Sequence, residues 1–194
     1  MILYNSAISG NCYKVRLLLA HLGVEYETRE VEVVDRAAPR DELRDLNPAL
    51  RVPTLVLDDG RPLAESNAIL WYFGDGTPWV PADRYERAQV LQWLFFEQYE
   101  HEPAIAVARF LVAYSQLPRE RYERRLPQLQ AQGVKALAAM DRHLAAREWL
   151  VGGVRVRVER DVGDRRRSVD EPFAACEVTF HRAERLRAAG LQVR

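Results

Sequence analysis

The stretch Arg51-Val-Pro-Thr-Leu-Val-Leu-Asp-Asp-Gly-Arg-Pro-Leu-Ala-Glu-Ser-Asn-Ala-Ile-Leu70 decides the fold of this chain. Thr54, Leu55, Val56 and Leu57 form a short, apolar, partly β-branched run. Asp59-Gly60 supplies a turn that tolerates positive φ, and Leu63-Ala64 begins a second run. The pattern predicts strand, tight turn and short strand. Glu65-Ser66 then opens an apolar segment, with Ser66 placed as the N-cap of a helix. Pro53 directly precedes the first strand, where a proline leaves neighbouring backbone groups unpaired by the sheet and open to a ligand.

On the N-terminal side, residues 1–4 read as a central strand and the small, polar residues 5–11 as a loop. Val15, Leu18, Leu19 and Leu22 recur at helical spacing, and Gly23 is a stop signal. Residues 26–34 alternate apolar and charged side chains, which predicts a half-exposed strand. Residues 40–46 predict a short helix ending before Asn47-Pro48. The order over residues 1–75 is β-α-β-α-β-β-α. Two parallel-type crossovers followed by a hairpin and a helix describe an α/β thioredoxin-like domain.

Residues 74–83 are dense in Gly and Pro, which places a domain boundary there. Beyond it the pattern is helical. Residues 85–114 carry Val90, Leu91, Leu94, Phe95, Ile105, Phe110 and Leu111, with Pro103 kinking the helix or ending a first segment. Residues 120–147 carry Leu126, Leu129, Val134, Leu137, Met140 and Leu144 on one stripe, with Pro127 tolerated near the start. Trp93, Phe95, Phe96 and Tyr99 read as core or interface. Residues 84–153 are therefore an all-α C-terminal domain.

Residues 154–194 depart from this pattern. Val154-Arg-Val-Arg-Val158 alternates with period two, Arg165-Arg166-Arg167 is a charge run, and the segment holds ten arginines and no lysine. A solvated tail and a nucleic-acid-binding arm are both compatible with that composition.

Lys+Arg and Asp+Glu both number 28, so the net charge is zero, and no basic face precedes residue 154. No apolar run approaches a membrane span, and the N-terminus lacks a signal-peptide pattern. The two cysteines, Cys12 and Cys176, form neither a disulfide framework nor a metal-type pair. These features predict a cytoplasmic protein without a nucleic-acid or membrane partner. His21, His101, His143 and His181 are scattered without ligand spacing, so no metal is expected. A G-x-S-x-G elbow is absent, which removes the hydrolase reading of the serines.

At the start of the first helix stands Ser9-Gly-Asn-Cys-Tyr-Lys-Val-Arg16. A Cys-x-x-Cys at such a place uses the helix N-terminus to stabilise a thiolate. Here only Cys12 is present, and a lone cysteine cannot cycle through an internal disulfide. The position instead suits an external thiol, with a hydroxyl or amide donating to its thiolate. Ser9 and Asn11 are the candidate donors, and each is also a candidate loop or capping residue. Cys12 reads as a packed first-turn residue, and Tyr4 falls inside the strand.

Together, residues 9–16, Val52-Pro53, Glu65-Ser-Asn-Ala-Ile-Leu70 and Trp149-Leu-Val-Gly152 resemble the glutathione S-transferase family, over residues 1–153. Ser-x-x-Cys is similar to the theta-like serine transferases, and Asn11 to the bacterial nu-like group. The resemblance implies glutathione as co-substrate and conjugation of its thiolate to a small hydrophobic electrophile, hence a detoxifying enzyme. Ser9 and Asn11 would be catalytic. Val52-Pro53 would be a cis step exposing Val52 to glutathione's cysteinyl backbone. Ser66 would hold the γ-glutamyl carboxylate, Glu65 would face the α-amino group, and Arg51 would meet the glycyl carboxylate. Asn67 reads as structural, and Tyr99 and His101 as candidates for the second-substrate pocket. A homodimer is implied, across residues 65–72 and the first long helix. A glutathione-dependent disulfide reductase or peroxidase, and a non-enzymatic binding module, are the alternatives. The family's Ser/Thr-x-x-Asp box after Trp-Leu-x-Gly is missing, since Ser168 is followed by Val-Asp-Glu. The tail is therefore expected to be frame-shifted or divergent and not to build the usual last helices.

Overall fold

The computed structural model describes residues 1–35, 38–147 and 149–152; the expectations for residues 154–194 lie outside them. The first half is built on a four-stranded sheet in the order β2-β1-β3-β4. Strand β1 (Ile2–Asn5) is central, between β2 (Glu27–Glu30), which is parallel to it, and β3 (Thr54–Val56), which is antiparallel. β4 (Pro62–Ala64) completes the hairpin predicted from the opening stretch, with Leu55 opposite Leu63. Its turn puts Gly60 at φ 85°, the left-handed region that Gly enters without steric cost.

The pleat sorts the core. Leu3 and Leu55 point to one face, where they are buried with Val15 and Leu19 of α1 (Gly10–His21) and Ile69 of α2 (Ser66–Gly74). Tyr4, with Ile2 and Val56, points to the other face, against Val31 and Leu43. Alternation with period two thus lets one short strand serve two layers, with α1 and α2 packed together on one of them.

Several expectations need correcting. β2 is four residues long and exposed throughout, because only Val31, just past its end, turns inward. The helix expected over residues 40–46 is a single 3-10 turn, Asp41–Leu43. Seven residues before Asn47-Pro48 are too few to sustain an α-helix. With no crossover helix between β2 and β3, the second connection reverses the chain, so β3 is antiparallel rather than parallel to β1. Ser66 is not the N-cap of α2 but its first helical residue. Glu65 holds the cap position at φ 67° and makes no side-chain capping bond.

α2 ends at Gly74, and helical structure then runs from α3 (Arg84–Phe96) through a π-helical segment (Glu97–Ala106) into α4 (Val107–Ala113). Asp83 caps α3 by accepting from the Glu86 N–H at 2.9 Å. The break expected at Pro103 takes the form of this widened π stretch. A π turn accommodates a ring without an N–H, where an α turn would clash. α5 (Arg119–Tyr122) and a 3-10 turn (Glu123–Arg125) lead into α6 (Leu126–Leu144), with Pro127 in its first turn. The buried face of α6 is Leu129, Gly133 and Ala136, packed on the π segment; Val134, placed on the apolar stripe by spacing, is 47% exposed. At its end, His143 Nε2 is 2.8 Å from the Leu150 carbonyl, which ties residues 149–152 back to the helix.

The two halves are bolted by polar contacts. Lys14 Nζ of α1 lies 2.6 Å from Glu97, and Asn67 Nδ2 of α2 donates to the Leu94 carbonyl at 2.9 Å and to Glu97 at 3.3 Å. Asn67 thus sits at the seam between the sheet domain and the helices.

Candidate functional site

A cavity of about 670 Å³ opens where the N-terminus of α1, the turn before β3 and the start of α2 face the helical half. Ser9, Asn11, Arg51, Val52, Pro53, Glu65 and Ser66 all line it, drawn from three separate stretches of sequence.

Ser9 is the N-cap of α1. Its Oγ accepts from the Cys12 N–H at 3.3 Å. Asn11 sits in the first turn, half-buried, and receives a hydrogen bond from the Ser66 hydroxyl to its Oδ1 at 3.3 Å. The loop before them is rigidly held. Arg16 donates to the Asn5 side chain and, at 3.4 Å, to the Ser6 carbonyl; Glu30 accepts from the Asn5 amide and, at 3.1 Å, from the Ala7 N–H. Cys12 points away into the core with no exposed surface, and burial pushes its thiol pKa up, so it stays protonated and unreactive. Tyr4 is likewise remote, buried in β1, with its hydroxyl accepting from Arg29 at 3.1 Å.

The opposite rim comes from residues 47–53. The Val52–Pro53 bond is cis, and Val52 stands outside the ladder that begins at Thr54. Buried Asn47 braces this turn, donating to the Arg51 carbonyl and to Thr54 Oγ1, each at 3.0 Å. Its own Oδ1 accepts from the Ala49 N–H at 2.9 Å. Arg51 is exposed at the rim. Glu65 is also exposed, in a backbone conformation that costs a non-glycine residue about 1–3 kcal/mol. Next to it, Ser66 is 3% exposed.

The helical wall supplies residues that the sequence reading missed. Glu102 is half-buried and hydrogen-bonded by Asn11. Burial, together with the negative charge of Glu97, raises its pKa, opposed by Lys14 and Arg51. His101, named from the sequence as a candidate for the second-substrate pocket, lines the cavity as well. Burial holds its pKa down, and its Nε2 has no hydrogen-bond partner among the described residues. Tyr99 does not line the cavity and is 76% exposed. Ile105, Ala106, Val107 and Phe110 form an apolar floor, and Arg109 closes the end beside Ile8. The signal for these residues is their spacing of three, four and seven along one helical face, but their distance in sequence from the thiol end hides the partnership.

Among the described residues no cluster of His, Cys, Asp or Glu is arranged to hold a metal ion, and no helix is long and apolar enough to cross a membrane.

A thioredoxin-like domain with a cis X-Pro step, joined to an all-helical domain across a shared cleft, defines the class of fold. Residues 8–75 match the model of the glutathione S-transferase N-terminal domain. A solved glutathione S-transferase from Pseudomonas fluorescens is 45% identical, with a TM-score of 0.72 over 78% of this chain and 75% of that one. The glutathione S-transferase-like protein LUC7 of Fusarium is 30% identical over 158 residues, covering 77% of this chain and 68% of that protein. The structure of Ure2p in complex with glutathione is 25% identical, with a TM-score of 0.65 over 78% of this chain and 75% of that one. The chain spans 36, 34 and 32% of the length of three further curated relatives, one of them elongation factor 1-gamma of Artemia salina. The chain belongs to the glutathione S-transferase family.

Proposed function

We propose that this protein is a glutathione transferase that activates the glutathione thiol and conjugates it to a small hydrophobic electrophile. The observation that carries this reading is the convergence of Ser9, Asn11, Arg51, Val52, Pro53, Glu65 and Ser66 on one cavity whose far wall is helical and carries an apolar floor of Ile105, Ala106, Val107 and Phe110. On this reading residues 1–75 bind glutathione and residues 84–153 shape the electrophile site.

Ser9 caps α1 through a lone pair, which leaves its O–H to donate to a thiolate. The helix N-terminus, with no acidic residue in its first turn, favours the same negative charge. Asn11 is the partner of Ser9: its carbonyl is taken by Ser66, and its amide faces Glu102 and the cavity. Val52 offers extended backbone to the cysteinyl residue. Ser66 and Glu65 meet the γ-glutamyl end, and Arg51 meets the glycyl carboxylate. The thiolate then attacks the electrophile, the carbon–sulfur bond forms, and the leaving group departs with its electron pair.

A homodimer is supported by apolar side chains standing free on the expected faces: Tyr72 of α2 and Tyr85, Leu91 and Phe95 of α3. A cytoplasmic, detoxifying role is the corresponding setting. A glutathione-dependent disulfide reductase would use the same thiolate, with Cys12 taking no part because it is buried. Kinship with elongation factor 1-gamma points to a third reading, a non-enzymatic module.

Retention on glutathione resin, followed by conjugation of chlorodinitrobenzene against reduction of hydroxyethyl disulfide, separates the three. Retention with conjugation is the expected result; failure of both sinks the proposal. Ser9→Ala and Asn11→Ala should each slow conjugation. If both stay within about twofold of the parent, the thiolate donor is misassigned, since a charge-assisted hydrogen bond is worth more.

A further inference from the structure

We infer that Arg109 selects an electrophile carrying a carboxylate or similar anionic group, an inference that rests on the reading of this cavity as the meeting place of glutathione and its electrophile. Arg109 projects from α4 into the cavity wall. Its Nη1 donates to the Ile8 carbonyl at 3.3 Å and its Nη2 to the Tyr114 hydroxyl at 2.8 Å. The guanidinium carbon lies 5.0 Å from the centroid of the Tyr114 ring. These contacts fix the plane of the group yet use two of its five N–H donors. No carboxylate forms an ion pair with it among the described residues. A half-buried, pre-oriented guanidinium with spare donors is suited to a planar anion.

Its location separates it from the glutathione ends. Ile8 immediately precedes Ser9, so Arg109 stands at the thiol end, whereas Arg51 and Glu65 belong to the peptide end. Ile105, Ala106, Val107 and Phe110 lie along the same wall, an apolar bed for the body of the electrophile. Glu102, the acidic group that would repel an anion, is seven residues away, back in the π segment. It is engaged by Asn11 and flanked by Lys14 and Arg51. The wall therefore fits an apolar or aromatic electrophile whose reactive carbon faces Ser9 and whose anionic group meets Arg109.

The test compares chlorodinitrobenzoate with its uncharged methyl ester. Both react by attack of the thiolate on the carbon bearing chlorine: the carbon–sulfur bond forms and chloride leaves with its electron pair. The parent protein should favour the acid, and Arg109→Gln should lower the acid-to-ester ratio of kcat/KM about tenfold, mainly through KM, with Arg109→Lys between them. If both substrates fall together and the ratio holds, Arg109 acts only by pinning the Ile8 carbonyl and the inference is overturned. The two glutathione conjugates, prepared chemically, are also titrated calorimetrically into the parent and Arg109→Gln proteins. The acid conjugate should bind about tenfold tighter than the ester conjugate to the parent, and the difference should vanish in the variant. Binding with this preference but without turnover would refute the transferase reading and uphold Arg109. Equal binding of the two conjugates, or binding of neither, would overturn the inference.

Discussion

Gly133 offers a test of how the helical half supports the cavity. It lies buried in the interior of α6, facing the π segment. A Cβ added there would stand 3.2 Å from Ile105 Cγ1 and 3.8 Å from Ala104 Cβ. Two effects of Gly133→Ala oppose each other. Alanine is favoured over glycine within a helix by about 0.8–1.0 kcal/mol. Against this, Ile105 must yield by a few tenths of an ångström, since unstrained carbons sit about 3.5–4.0 Å apart. Ile105 is half-buried and borders open cavity space, so it can turn away at a cost of about 0.5 kcal/mol. The net expectation is stabilisation by about 0.5 kcal/mol, or about 1–2 °C in Tm. Urea unfolding should show a higher midpoint with an unchanged slope. In an Ile105→Ala background the full gain of about 1 kcal/mol should appear, a coupling of about 0.5 kcal/mol between the two sites. The displaced Ile105 should also raise KM for the electrophile and leave KM for glutathione alone. Destabilisation of Gly133→Ala by more than about 1 kcal/mol would show that Ile105 is clamped and refute the reasoning.

Three further outcomes follow from the site and the domain seam. The raised pKa of Glu102 means that the folded state binds its proton more tightly than the unfolded chain, so this group's stabilising effect is complete below the ordinary glutamate value and is lost as pH rises through the raised one. Glu102→Gln should therefore unfold at higher urea than the parent at neutral pH and converge with it in acid; a difference independent of pH would count against the assignment. Lys14→Met leaves Glu97 without its 2.6 Å cationic partner at a half-buried seam and should cost about 1–2 kcal/mol in urea unfolding, with little relief from added salt. Glu65→Gly removes the positive-φ penalty and should match or exceed the parent in stability, by up to about 1 kcal/mol, while weakening retention on glutathione resin.

Much of the fold could be read directly because its signals are local. The Asp59-Gly60 turn, the short apolar run at residues 54–57 and the stop at Gly23 each depend on a few neighbouring residues, and the structure realises all three. The errors arose where local pattern competes with packing. Spacing put Val134 on the buried stripe, but it is Gly133 that lets α6 approach the π segment closely. Ser66 had the composition of a cap, yet the backbone at Glu65 turns to positive φ and frees the Ser66 hydroxyl for Asn11.

By itself the sequence determined the strand–turn–strand–helix at residues 51–70, the central strand at the N-terminal end, and the helix start that could host a thiol. Only the tertiary structure decided what stands across the cleft from them. Glu102, Ile105 and Arg109 reach the thiol end from a helix some ninety residues further along the chain. No period or motif links residues so far apart. Their juxtaposition is set by the packing of the helical half against α1 and α2, with Lys14, Asn67 and Glu97 locking the seam.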